Sequence, residues 1–169
     1  ALDLAEAGWN VAVHCNTSVE EANEVVTRIS GFSRKSCIVT GDLSDPKTPE
    51  RIMTEAVKSL GPLTALINNA SIFEPDDVGE ISLESWARHQ DTNLRAPILL
   101  SQCFAKQLPA TVNGNIINII DQRVWKLTPE FFSYTISKAG LWTATRTLAQ
   151  ALAPRVRVNA IGPGPVLKS

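Results

Sequence analysis

Tyr134 and Lys138 stand four residues apart in the stretch Ser133-Tyr-Thr-Ile-Ser-Lys138, a spacing that puts both side chains on one face of a helix. A free phenol ionises near pH ~10, too weakly acidic to exchange protons readily at neutrality. A neighbouring ammonium favours the phenolate and makes the group a usable acid or base. Tyr-x-x-x-Lys also occurs on helices that do no chemistry, so the pair needs company. Asp121 lies thirteen residues before Tyr134. An ionised carboxylate only accepts hydrogen bonds. Beside a ketone oxygen gaining negative charge it would repel, where a hydroxyl would stabilise. Beside a C=N bond it can accept from ring N–H and amino groups and support positive charge while the nitrogen gains a proton. Asp121 therefore favours an imine-like heterocycle over a ketone. The competing explanation is that Asp121 marks a lost activity, against which Tyr134 and Lys138 are intact.

The elements that must position these groups alternate. Ala1–Gly8 reads as helix from its first residue. Val11–Asn16 is a short apolar strand, and Ser18-Val-Glu-Glu21 forms a capping box before a stripe of Ala22, Val25, Val26 and Ile29. Ser36–Leu43 is the next strand. Thr48-Pro49 reads as N-cap and first helical residue of a run ended by Gly61-Pro62. Leu63–Ser71 is a third strand, and Ser82 caps one long helix to about Leu108. Gly114–Asp121 is a fourth strand, Ser133–Ala153 a helix, and Arg155–Gly162 a fifth strand. Strands apolar on both faces and separated by helices indicate a parallel sheet covered on both sides. Ligands of such sheets bind beyond the carboxyl ends of the strands. The expected crevice is therefore lined by His14–Ser18, Asp42, Asn68–Ser71, Asp121 and Gly162–Gly164.

The 169 residues suit one domain, with 44% hydrophobic and 20% charged residues and a net charge of −1. That balance gives no reason to expect nucleic acid or an acidic membrane as partner. The apolar runs are too short to span a bilayer. Cys15, Cys37 and Cys103 read as reduced thiols of a cytoplasmic protein, and no Cys/His pair has metal-ligand spacing, so no metal is expected. No basic, apolar leader opens the sequence.

Asn68-Asn-Ala-Ser71, Asp91-Thr-Asn-Leu-Arg-Ala-Pro97, the Asp121–Tyr134–Lys138 group and Val156-Arg-Val-Asn-Ala-Ile-Gly-Pro-Gly-Pro-Val166, in this order, closely resemble the short-chain dehydrogenase/reductase family. The resemblance implies a Rossmann-type doubly wound parallel sheet and a nicotinamide dinucleotide. It departs from the common pattern twice, with Ser71 where Gly is usual and Asp121 where the catalytic Ser is usual. Both departures are similar to the pteridine reductase branch, whose members reduce dihydropterins, dihydrofolate or dihydromonapterin. That branch implies Phe73 as the ring that stacks on the pterin; the alternative for Phe73 is a loop residue buried against the sheet. The family implies a proton-relay role for Asn93, against which stands a plain polar residue at a helix kink.

An acid closing the second strand would select NAD through the ribose 2′-hydroxyl. The stretch His14, Cys15, Asn16, Thr17, Ser18 has none; Thr17 and Ser18 can donate to a 2′-phosphate, which favours NADPH, although both also suit a turn and an N-cap. The resemblance places Asp42 and Leu43 by the adenine, and Asn69, Ala70 and Ser71 by the adjoining ribose and diphosphate. It places Lys138 by the nicotinamide ribose and Pro163, Gly164 and Pro165 beside the nicotinamide, with Ile119 and Tyr134 also among the cofactor-binding residues. It also implies a homotetramer built on the two long helices, with exposed apolar residues such as Trp142, Leu148 and Leu152 serving either that interface or the core. The family's opening strand and Gly-rich turn precede anything seen here, and its last strand and substrate loop follow Ser169. The sequence is therefore expected to be a fragment of a longer Rossmann domain, inactive and unstable alone. Two other functions remain: a short-chain reductase of a carbonyl substrate (ketone or 3-oxoacyl type), and a non-catalytic nucleotide-binding scaffold.

Overall fold

In the computed structural model, which describes Ala1–Gly164, every strand–strand pairing is parallel. The chain forms a Rossmann-like α/β fold in two units, Ala1–Leu63 and Thr64–Ser169. In the first, helix α1 (Leu2–Glu6) leads to strand β1 (Val11–Cys15), helix α2 (Val19–Ser30), strand β2 (Ser36–Thr40) and helix α3 (Thr48–Leu60). β1 pairs with β2 from Val11↔Ser36 to Cys15↔Thr40. Ile29 of α2 and Ile52, Met53 and Ala56 of α3 are buried, as their helical spacing predicts. Gly61 ends α3 with φ 81°, a left-handed conformation that suits glycine.

Two local expectations needed correction here. Ser18 is the N-cap of α2, but its hydroxyl caps nothing. Its backbone (φ −78°, ψ 57°) is not the extended conformation that aims an N-cap oxygen at the first turn. The helix after Asp45 has Lys47 at its N-cap position, with no side-chain cap, and begins at Thr48, one residue earlier than the Thr-Pro pair suggests.

In the second unit, β3 (Ala65–Asn68), β4 (Gly114–Ile119) and β5 (Val156–Ile161) form a sheet with β4 central. Alternate residues of β4 are buried, with Ile116 and Asn118 fully so. Gly114 is required by its neighbours, because a Cβ there would lie 2.8 Å from the Phe104 ring. The buried polar side chains join the layers: Asn68 Nδ2 donates to Asn118 Oδ1 at 2.8 Å, and Asn118 Nδ2 donates to Thr145 Oγ1 at 2.9 Å. β3 and β4 are thereby tied to helix α6 (Phe132–Leu152) by side chains as well as by packing.

The single helix expected from Ser82 to Leu108 is interrupted. Ser82 does cap, accepting from the Ser85 N–H at 3.0 Å, but α4 (Leu83–Gln90) and α5 (Ala96–Gln107) are joined by one π turn, Asp91–Arg95. Such turns insert a residue into the helix and frequently mark functional positions. Asn93 sits in this one, fully buried. Trp142, Leu148 and Leu152 of α6 are half-buried, not exposed, and Trp142 meets Trp125 edge-on at 5.7 Å.

Candidate active site

β3, β4 and β5 end side by side, so the segments after them, Asn69–Ser71, Asp121 and Gly162–Gly164, share the carboxyl edge of one sheet. Asp121 follows β4 and caps the short turn Gln122–Val124, its Oδ1 accepting from the Arg123 N–H at 2.8 Å. Its other oxygen, Oδ2, accepts the Tyr134 O–H at 2.9 Å. The two residues singled out by type and spacing are therefore in direct contact.

Lys138, buried one turn along α6, donates to the Ile119 carbonyl at 2.8 Å, and its Nζ lies 5.7 Å from the centre of the Tyr134 ring. Burial pulls its ammonium down to about 8, with Asp121 opposing the shift. The phenol behaves opposite to expectation. Burial, then the hydrogen bond to Asp121 and its charge, push the Tyr134 phenol well above its ordinary value, while Arg123 pulls weakly the other way. A lowered phenol was expected from Lys138, but Asp121 is the group that holds the hydroxyl. The site thus carries a protonated donor on a carboxylate acceptor.

Asn93 holds the loop after β3. Its Oδ1 accepts from the Ile72 N–H at 2.8 Å and the Ser71 hydroxyl at 3.2 Å, while Nδ2 donates to the Ile72 carbonyl at 2.9 Å and Ser137 Oγ at 3.1 Å. All its capacity is used in clamping that loop to α6. One residue further on, Phe73 is half exposed (53%) and stands edge-on to Tyr134 at 4.6 Å. It is not buried against the sheet. One of its faces is already covered by Phe131, stacked at 4.1 Å and 6°.

Two positioning residues escaped the sequence reading. His89 is fully buried; its Nδ1 donates to the Ser85 carbonyl at 2.8 Å, which leaves Nε2 to accept from the Glu74 N–H at 3.3 Å. Asp76 accepts from the Ser133 N–H and the Ser85 hydroxyl, each at 2.9 Å. It supplies the cap that α6 lacks locally, since Phe131 at the N-cap position offers none. With Asn93, these groups grip the loop on both sides of Phe73.

In the first unit, the His14 ring donates Nε2–H to the Gly41 carbonyl at 2.9 Å, so that nitrogen is engaged within the fold. Leu43 is buried in the core, and Asp42 Oδ1 accepts from the Ser44 N–H at 2.8 Å. Asn16, Thr17 and Ser18 are exposed at the end of β1. The Ser18 hydroxyl caps nothing, and no carboxylate stands between His14 and Ser18. This donor set fits a phosphate. In the second unit, the Lys138 ammonium has three N–H groups and one acceptor in Ile119, which leaves donors for ribose hydroxyls. Asn69, Ala70 and Ser71 are exposed, and the Pro163 carbonyl accepts from the Gln122 N–H at 3.3 Å, with Gly164 beside it. Pro165 lies outside the described residues. The residues of this second unit are compatible with ribose and nicotinamide contacts. Among the described residues no cluster of His, Cys, Asp or Glu is arranged for a metal, and no helix is long and apolar enough to cross a membrane.

Parallel strands with a Tyr–Lys pair on the helix after β4 and a polar strand edge define a Rossmann-type oxidoreductase scaffold. The chain belongs to the short chain dehydrogenase family, whose pattern matches residues 1–169. It is 31% identical to a short-chain type dehydrogenase/reductase of Picea abies over 98% of this chain and 65% of that protein. It is also 31% identical to 2-dehydro-3-deoxy-D-gluconate 5-dehydrogenase of Dickeya dadantii, over 97% and 64%. The chain thus spans slightly less than two thirds of the length of these curated relatives. Among solved structures, it is 48% identical to FolM alternative dihydrofolate reductase 1 of Brucella canis, crystallised with NADP. The TM-score is 0.94, covering 98% of this chain and 67% of that one.

Proposed function

We propose that this chain carries the hydride-transfer site of an NADPH-dependent reductase acting on the C=N bond of a pteridine of the dihydropterin or dihydrofolate type. The observation that carries the reading is the hydrogen bond from Tyr134 to Asp121 beside the exposed edge of Phe73. The 48% identity to the Brucella canis alternative dihydrofolate reductase, and the NADP in that crystal, support the same reading.

Bound NADPH supplies the hydride to the ring carbon. Asp121 accepts from the N–H and amino groups of the ring and fixes its orientation, which a carboxylate does better than a hydroxyl. Tyr134 delivers its proton to the ring nitrogen. As ring donors take over the carboxylate, the interactions that raise the phenol weaken and proton transfer becomes easier. The Lys138 ammonium stabilises the phenolate left behind. Asn93, His89 and Asp76 hold Phe73 and the start of α6 in place. In the first unit Asn16, Thr17 and Ser18 are the candidates for a 2′-phosphate and Asp42 for an adenine; in the second, Asn69–Ser71 are the candidates for ribose and diphosphate and Pro163–Pro165 for the nicotinamide. The working protein is a cytoplasmic homotetramer assembled through the α4–α5 and α6 helices.

The test uses the full-length protein, following NADPH oxidation with 7,8-dihydrobiopterin, 7,8-dihydrofolate and a panel of ketones. Turnover of a dihydropterin above that of every ketone is the expected result; reduction of ketones alone overturns the reading. The second reading, a carbonyl reductase, draws on the 31% identity to the gluconate-derivative dehydrogenase and predicts the latter outcome.

A further inference from the structure

We infer that Arg123 is a specificity-determining residue that selects substrates whose planar ring carries an anionic tail. This rests on the pteridine reading and narrows its substrate class to carboxylate-bearing, folate-type molecules over uncharged pterins.

Arg123 is half-buried, and its guanidinium carbon stands 4.9 Å from the centre of the Phe131 ring and 5.8 Å from that of Phe73. One of its nitrogens, Nη1, donates to Thr128 Oγ1. The ion pairs among the described residues are Arg51–Glu55, Arg88–Glu74 and Arg95–Asp91, so Arg123 has no carboxylate partner there. Asp121 is close in sequence but makes no ion pair with Arg123 among the described residues; its Oδ1 accepts from the Arg123 backbone N–H and its Oδ2 from the Tyr134 O–H. A guanidinium has five N–H donors. The guanidinium lies beside the stacked Phe131 and Phe73 rings, and its planar fork matches a carboxylate in bidentate geometry.

The aromatic support carries a cost. Phe131 has φ 57°, a left-handed conformation unusual for a bulky side chain, and its ring is stacked on Phe73. Strained residues of this kind collect at ligand sites. The cation, two aromatic faces and the Tyr134–Asp121 pair thus adjoin one another. A substrate ring that contacts Phe73 lies next to Arg123, whose guanidinium carbon is 5.8 Å from the centre of the Phe73 ring.

The experiment titrates folate, with two tail carboxylates, and biopterin, with none, against the full-length protein loaded with NADP⁺. Wild type is compared with Arg123→Gln and Arg123→Lys. The expected result is folate affinity weakened on the order of 10- to 100-fold in R123Q, the size of a lost charge-assisted hydrogen bond. R123K restores part of it, and biopterin binding stays within about twofold, a small fraction of one hydrogen bond. Equal losses for both ligands would show a merely structural role, and no loss for either would show none; each overturns the inference. A wild-type complex that binds neither ring overturns this inference and the pteridine reading together. Reduction of dihydrobiopterin with no dependence of folate binding on Arg123 overturns this inference alone.

Discussion

Tyr134 donates its hydroxyl to Asp121 Oδ2 across 2.9 Å, while Lys138, one turn along the same helix, donates to the Ile119 carbonyl at 2.8 Å. The acid and its helper share a face, yet burial and then the carboxylate raise the phenol. Replacing Asp121 by Asn removes the charge that disfavours the phenolate. In Asp121→Asn, Tyr134 should therefore ionise at lower pH than in wild type. Tyrosinate absorbance read as a difference against Tyr134→Phe checks this; an unchanged onset contradicts it.

Lys138 supplies a pH dependence with a defined window. Burial lowers its value from 10.5 to about 8. Between those limits the unfolded side chain holds a proton that the folded one lacks, so this group's contribution to stability rises with pH across the window. It is lost as pH falls through about 8. Lys138→Met abolishes the titration. Its urea midpoint relative to wild type should be higher at pH ~7 than at pH ~9.5. Its NADPH-dependent turnover should be abolished at both.

The buried chain Asn68–Asn118–Thr145 is a stability element independent of chemistry. Asn118→Leu strips the acceptor from Asn68 and the donor from Thr145. Each group left unpaired costs about 1–3 kcal/mol. A double variant, Asn68→Leu with Asn118→Leu, should recover part of that loss, because fewer polar atoms are then stranded. Chemical denaturation of the singles and the double separates these outcomes.

Asp76 couples the Phe73 loop to the start of α6. Burial raises its carboxyl, but the hydrogen bonds from Ser133 and Ser85 outweigh it, so the group lies below its ordinary 3.8. The contribution is present above that value and fades as pH falls through the lower folded one. Asp76→Ala should cost about 0.5–2 kcal/mol, as for loss of an N-cap, and flatten the acid limb of stability. It should also raise KM for the ring substrate more than it lowers kcat, since Phe73 loses one of its supports. A kcat collapse with unchanged KM would show that Asp76 acts on the chemistry itself.

The alternation of strands and helices was legible because parallel strands covered on both faces leave short apolar runs such as Val11–Val13. Tyr134, Lys138 and Asp121 were legible because helical spacing and strand-end position are local properties. Spacing says neither how deeply a hydroxyl is buried nor which nearby group captures it, and the expected lowering of the phenol failed for both reasons, burial first. The π turn was hidden, since nothing in Asp91-Thr-Asn-Leu-Arg95 differs in periodicity from ordinary helix. The cap on α6 was hidden because Asp76 reaches it from 57 residues away. The Phe131–Phe73 stack likewise depends on one left-handed residue that no propensity favours.

The central claim is that Asp121 makes this a site for C=N reduction. The most direct test compares full-length wild type with Asp121→Ser in NADPH oxidation, using 7,8-dihydrobiopterin and a ketone side by side. The account predicts that turnover of the dihydropterin collapses by about 10²-fold or more, the scale for losing a positioned polar group at the reacting atoms. Ketone reduction should stay equal or rise. Undiminished dihydropterin turnover in Asp121→Ser would contradict it.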